Sequence, residues 1–323
     1  MYKDFYGLRE FPFNVNPDPR FLFQTRDTEE ALACMTYGIQ QRRGFVLLTG
    51  EVGTGKTTLL NKLLEWLRGE KMSTAFIFYP RLTTNQFLDL MMTDFGIPKK
   101  SHQKSQILLQ LNEWLLKRFR AGQTAVLIVD EAQNLTSDVL EEIRLLTNLE
   151  TSSEKLLQIV LSGQPELEQK LNQPQLRQLR QRITLRCKTA PLTKEEACGY
   201  ITERLRVAGS NGSPIFTPNA MDVAYRYSGG IPRLINLLCE HSLITGFAEQ
   251  LRTIPERIVE GVARDFELDK VSEVPRRAAQ QERPGPIEPG DNSNGRGTVL
   301  SQLRADLKKQ WDLLRKGAHE SNS

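Results

Sequence analysis

The 323 residues carry 43 Lys+Arg against 39 Asp+Glu, a net charge of +4, with 39% apolar and 25% charged residues. That balance is ordinary for a globular chain of about two domains, and the small cationic excess does not announce a nucleic-acid binder. No apolar run reaches the roughly 18 residues that cross a bilayer, and Cys34, Cys187, Cys198 and Cys239 form no CxxC pair, which argues for reduced thiols and against zinc or a disulfide framework.

The opening Met1-Tyr2-Lys3-Asp4-Phe5-Tyr6 lacks the charged-then-apolar pattern of a secretory leader. A cytoplasmic location, the inner face of the membrane included, is the expectation. Residues 1–28 alternate aromatics with Pro17 and Pro19, so they read as an extended segment pinned to the core. That segment is either one wall of an adenine pocket or an aromatic staple alone. Asp27-Thr28-Glu29-Glu30 caps a helix running to about Gln41.

Phe45 to Leu48 then read as a buried strand that runs into Gly50-Glu51-Val52-Gly53-Thr54-Gly55-Lys56-Thr57, which satisfies GxxxxGK[ST] at every fixed position. Thr58, Leu59 and Leu60 open a helix behind it. The glycines let backbone N–H groups close around phosphate oxygens, and the helix N-terminus adds its positive dipole end. Lys56 is placed for the β- and γ-phosphates and the Thr57 hydroxyl for Mg²⁺, so ATP with Mg²⁺ is the expected ligand.

Further strands are expected at 74–79, 125–131, 156–161 and 182–187, with amphipathic helices at 83–95 and 105–120. Strands separated by helices give a parallel α/β sheet. Asp130 ends the third strand, where a carboxylate holds Mg²⁺ through water, and Glu131 beside it is the candidate general base. After the next strand, Gln164 is the candidate for orienting the attacking water, with Ser162 in reserve. Among Arg177, Arg180, Arg182 and Arg186, Arg180 and Arg182 are the candidates for reaching a neighbouring subunit's γ-phosphate. A solvated face or contact with a nucleic-acid backbone remains open for that stretch.

From Pro191 the pattern turns helical, with starts near Thr193, Thr217, Gly229-Gly230-Ile231-Pro232-Arg233 and Pro255. Arg233 is placed to reach back to the phosphates, making closure sense the nucleotide. The expected organisation is a nucleotide-binding domain over 1–190, a helical lid over 191–268, a disordered linker over 269–297 and an amphipathic helix over 298–318 that docks on membrane, partner or self.

Together these elements resemble the AAA+ ATPases: Gly50–Thr57 looks like the Walker A motif, Val126–Glu131 the Walker B, Gln164 or Ser162 sensor 1, and Arg233 sensor 2. The resemblance implies a P-loop NTPase (AAA+) sheet flanked by helices and followed by a small α-helical lid. More narrowly, Met1–Phe13, Asn16–Leu22, Asp130–Leu135, Gly163–Leu167 and Leu179–Ile183 are similar to the general secretion pathway protein A (ExeA-like) ATPases. Secretion members of that family carry a membrane span and a periplasmic peptidoglycan-binding domain after the ATPase, where this chain reads as linker and short helix. Shorter relatives without the span are associated with exopolysaccharide and exosortase-type export loci. The same branch resembles transposon-encoded AAA+ regulators that assemble on DNA.

The function expected from all this is a Mg-dependent, self-associating ATPase coupled to assembly of a secretion or exopolysaccharide export system. The alternative is an ATP-dependent DNA-bound regulator. A nucleotide switch that does not hydrolyse is a third reading, which Glu131 opposes because a switch has less need of a base there.

Overall fold

The computed structural model describes residues 2–78, 81–98, 101 and 103–268. The expected linker at 269–297 and helix at 298–318 lie outside the described residues. In chain order the elements are α1 (Tyr2–Tyr6), α2 (Arg26–Gln40), β1 (Phe45–Thr49), α3 (Lys56–Gly69), β2 (Ser73–Ile77), α4 (Thr84–Asp94), α5 (Lys104–Arg120) and β3 (Ala125–Val129). They continue with α6 (Ser137–Leu146), β4 (Leu157–Gly163), α7 (Pro165–Leu171), α8 (Arg177–Arg182) and β5 (Leu185–Lys188). Four helices follow: α9 (Lys194–Val207), α10 (Pro218–Ser228), α11 (Pro232–Ala248) and α12 (Glu256–Asp265).

The five strands are parallel in the order β2-β3-β4-β1-β5. β1, β3 and β4 are buried at every residue because helices cover both faces, and their near-continuous Val/Ile/Leu runs are what such strands require. Each fully buried aliphatic side chain contributes ~1.5–3 kcal/mol over its exposed state. Register brings Thr49 opposite Gly163 and Val129 opposite Leu161, so the residues after β1, β3 and β4 emerge together at one edge. That edge carries the site.

Two hydrophobic cores form. The first fills the sheet with Phe45, Leu47, Phe87, Met91, Leu111, Leu127, Ile143 and Leu161. The second joins α9–α12 through Tyr200, Ile201, Val223, Leu238 and Val259. The N-terminal segment, expected with the sheet domain, contributes its buried Tyr2, Tyr6, Leu8, Phe13 and Phe21 to the second core. It is also not wholly extended: α1 forms before the prolines begin, and Pro19–Phe21 makes one 3₁₀ turn.

Local differences have local causes. α2 is capped by Thr25, whose side chain takes the Thr28 N–H while the Thr28 hydroxyl takes the Thr25 N–H, so Asp27 falls inside the first turn. The arginine-rich stretch is helical as α8 because Leu176, Leu179 and Ile183 recur at one face and are buried. The last strand therefore starts at Leu185, not at 182.

Candidate functional site

β1 delivers the chain to the phosphate loop, and α3 carries it away. Gly53 and Gly55 take φ of +79° and +92°, which glycine alone adopts without strain. Gly50 is needed for space: a Cβ there would lie 2.0 Å from Thr189 Oγ1. Thr189 follows β5 and meets Thr54 Oγ1 at 2.8 Å, while the Thr54 hydroxyl bonds the Glu51 carbonyl at 2.8 Å. The loop is thus backed by the sheet's last strand. Glu51 and Val52 are exposed, Thr54 and Lys56 buried, and Thr57 and Thr58 half-buried on the first turn of α3.

Lys56 Nζ donates to the carbonyls of Gly50 and Glu51 at 2.8 and 2.9 Å, filling the concavity of the loop with its charge. Burial lowers its pKa below the ordinary lysine value; Glu131, Asp130, Glu51 and Glu166 oppose that shift. The Thr57 hydroxyl donates to Asp130 Oδ2 at 2.8 Å, and the Glu131 N–H donates to Asp130 Oδ1 at 2.9 Å. A hydroxyl and a buried carboxylate meeting at the loop's mouth form the hard-oxygen donor set that suits Mg²⁺.

Glu131 itself lies in the left-handed region, φ 52°, where a non-glycine residue is strained, and the 3₁₀ turn Ala132–Asn134 follows it. Its Oε2 accepts from Gln133 Nε2 at 2.5 Å and from Gln164 Nε2 at 3.2 Å. Gln133 Oε1 in turn accepts the Gln164 N–H at 3.1 Å, and Lys170 Nζ donates to the carbonyls of Gln133 and Leu135. Gln164 is therefore beside Glu131. Ser162 is fully buried and its Oγ has no hydrogen-bond partner.

Arg233, the second residue of α11, donates its backbone N–H to the Gly53 carbonyl at 3.2 Å. Its exposed side chain thus starts from the phosphate loop itself. Arg180 and Arg182 are placed elsewhere. α8 ends just before β5, whose Leu185 pairs with Val46 near the start of β1, whereas the phosphate loop leaves the other end of that strand. Arg182 donates to Thr147 Oγ1 at 2.6 Å and Arg180 to Asn172 Oδ1 at 2.8 Å. Neither joins its own chain's loop.

Three residues outside the sequence expectations, Gln133, Lys170 and Thr189, also reach this edge. Gln133 had a signal, standing two residues after Glu131 at a strand end. Lys170 and Thr189 had none, because only the fold brings them to the edge.

A P-loop on a five-stranded parallel sheet, a strand-end Asp-Glu and a group of helices, α9–α12, touching the loop define the class: the chain belongs to the AAA+ P-loop ATPases. Residues 39–171 match the family described as AAA domain. The chain is 49% identical to general secretion pathway protein A of Aeromonas hydrophila over 249 residues, 77% of this chain, and it is with that protein's kin that it groups. The chain spans 45% of that relative's length. Among solved structures it is similar in fold to Cdc6p of Pyrobaculum aerophilum, with a TM-score of 0.62 and 18% identity over 79% of this chain and 70% of that one. It is similar also to the Aeropyrum pernix ORC2 protein in its ADPNP-ADP complexes, with a TM-score of 0.59 and 17% identity over 79% and 71%.

Proposed function

We propose that this chain hydrolyses ATP with Mg²⁺, as a self-associating AAA+ ATPase serving assembly of a secretion or exopolysaccharide export system in the bacterial envelope. The observation that carries the chemistry is the convergence of Lys56, the Thr57–Asp130 pair at 2.8 Å and Glu131 at one strand edge. The loop amides and Lys56 hold the β- and γ-phosphates, with Gly50 to Thr58 lining the cradle. Thr57 and Asp130 would hold Mg²⁺, which would supply charge neutralisation at the phosphates when bound.

Glu131 takes the proton of the attacking water, and Gln164 orients that water while Gln133 fixes the carboxylate. Arg233 senses the phosphates from the lid. Arg180 or Arg182, facing away from its own loop, acts on the nucleotide of an adjoining copy and so makes turnover depend on assembly. The envelope assignment is supported by the 49% identity to a general secretion pathway protein. Among the described residues no helix is long and apolar enough to cross a membrane.

The test is light scattering after size exclusion, without nucleotide, with ADP, and with a non-hydrolysable ATP analogue, each repeated with duplex DNA. Assembly driven by the ATP analogue without DNA is the expected result. A chain that stays monomeric throughout loses the trans mechanism. Assembly only on DNA transfers the assignment to a DNA-bound regulator.

A further inference from the structure

α2 and β5 pack closely, and two cysteines that the site does not use meet between them. On α2, Cys34 and Gly38 stand four residues apart, ~6.0 Å along one helix face. On β5, Leu185 and Cys187 stand two apart, ~6.6 Å along one strand face. A Cβ on Gly38 would lie 2.8 Å from Leu185 Cδ1 and 2.7 Å from Val46 Cγ2, so that glycine is what draws the helix onto the strands. With Gly38 seated on Leu185 and α2 packed along β5, the matched rises bring Cys34, four residues back, alongside Cys187, two residues on, and the two thiols interact.

The two thiols are unequal. Cys34 is partly exposed, and the neighbouring Cys187 thiol holds its pKa below the ordinary thiol value. Cys187 is 6% exposed, and the neighbouring Cys34 together with burial pushes its own pKa up. A partly exposed sulfur that peroxide can reach, beside a buried thiol, is the arrangement of an attacking and a resolving cysteine.

We propose that Cys34 and Cys187 are an oxidisable dithiol, a modification site at which peroxide converts the pair to an intramolecular disulfide between α2 and β5. The Cys34 thiolate attacks one peroxide oxygen, the O–O bond breaks, and hydroxide leaves and is protonated to water, giving a sulfenic acid. The Cys187 sulfur then attacks the Cys34 sulfur, the S–O bond breaks, and the hydroxyl leaves with the Cys187 proton as a second water. The two sulfurs together lose two electrons, which reduce one peroxide to two waters, and a dithiol reductant reverses the change. The crosslink stands two residues before Thr189, whose hydroxyl backs the phosphate loop at Thr54.

The test is graded hydrogen peroxide on the full chain, alkylation of remaining thiols, and peptide mapping under non-reducing conditions. The expected result is a Cys34–Cys187 linked peptide and loss of two of the four thiols, both restored by dithiothreitol. In Cys187→Ser, Cys34 stops at the sulfenic acid and takes up dimedone, with labelling about tenfold above the wild type. The proposal is overturned if Cys34 and Cys187 both stay alkylatable at peroxide levels that oxidise the partly exposed Cys198, or if Cys34 pairs instead with a cysteine of another copy. Should Cys187→Ser fail to fold by circular dichroism, the wild-type peptide map decides alone. No readout involves nucleotide, so failure here leaves the phosphate site untouched.

Discussion

The contact between lid and phosphate loop can be broken with one methyl group. Gly53 holds φ +79°, and a Cβ there would sit 2.7 Å from Arg233 Cβ and 3.1 Å from Ile231 Cγ2. Arg233 Cβ is no flexible tip, because it is fixed to the first turn of α11. In Gly53→Ala the left-handed backbone costs ~1–2 kcal/mol. Relieving the clash moves the lid away and weakens the 3.2 Å bond from the Arg233 N–H to the Gly53 carbonyl, a further ~1 kcal/mol net. With residual crowding the total is ~2–4 kcal/mol against the lid-on-loop arrangement, equivalent to ~30- to 700-fold in an equilibrium constant. The assay is titration with a fluorescent ATP analogue, alongside thermal melting with and without nucleotide. Gly69→Ala is the control, since a Cβ there meets nothing within 4 Å and the helix tolerates it. A Gly53→Ala chain that binds nucleotide within about twofold of the wild type would refute the claim that lid contact supports binding.

Other substitutions separate the remaining roles. Glu131→Gln is expected to lower single-turnover hydrolysis by ~10²–10⁴ while ATP stays bound, and a wild-type rate removes Glu131 as the base. Of Arg180→Ala and Arg182→Ala, at least one is expected to lower kcat by ~10³ with ATP affinity unchanged, measured at concentrations where the wild type assembles; two unchanged rates end the trans role. Gln158 is buried on β4, accepting from the Gly44 N–H at 2.8 Å and donating to the Lys155 carbonyl at 3.0 Å. Gln158→Leu orphans both backbone groups and is expected to cost ~2–4 kcal/mol by urea unfolding, and an unmoved midpoint contradicts that. Lys56 has its folded-state pKa lowered by burial, so above that pKa the unfolded chain binds the extra proton, and its contribution to stability rises with pH until the unfolded value near 10.5 is reached. Phosphate binding favours the ammonium, so ATP is expected to bring proton uptake in that alkaline window, seen as a buffer-dependent calorimetric enthalpy, and Lys56→Met is expected to abolish it.

What was legible in the sequence shares a cause. The phosphate loop, Asp130 and Glu131 are fixed by neighbours along the chain: a buried strand, then the residues that leave its end. β1, β3 and β4 read clearly because continuous apolar runs have few other uses. α6 and α7 fall between the expected strands: α6 is legible in Val139, Leu140, Ile143 and Leu146, which recur at helical spacing, whereas α7, Pro165–Leu171, spans only about two turns and carries little periodicity. Arg177–Arg182 was read by its charge, while Leu176, Leu179 and Ile183 decided its conformation. Gln133 and Gln164 stand 31 residues apart and meet only because β3 and β4 are neighbours in the sheet.

The N-terminal segment could not be assigned by its aromatics alone, since either core would have accepted them. Its polar contacts decide where it lies. Arg204 on α9 is 6% exposed, and its guanidinium donates to the carbonyls of Pro12 at 2.5 Å and Asn14 at 3.2 Å and to the Tyr200 hydroxyl at 2.8 Å, with Phe21 beneath it. A buried cation satisfied by backbone carbonyls holds the segment in one register, because sliding it would leave the charge unpartnered. Further along, the Pro17 carbonyl accepts from Asn61 Nδ2 on α3 at 2.7 Å. Among the described residues the helices α9–α12 and the N-terminal segment thus meet the phosphate-loop region where Ile231 and Arg233 lie against Gly53 and where the Pro17 carbonyl meets the helix that begins with Lys56 and Thr57.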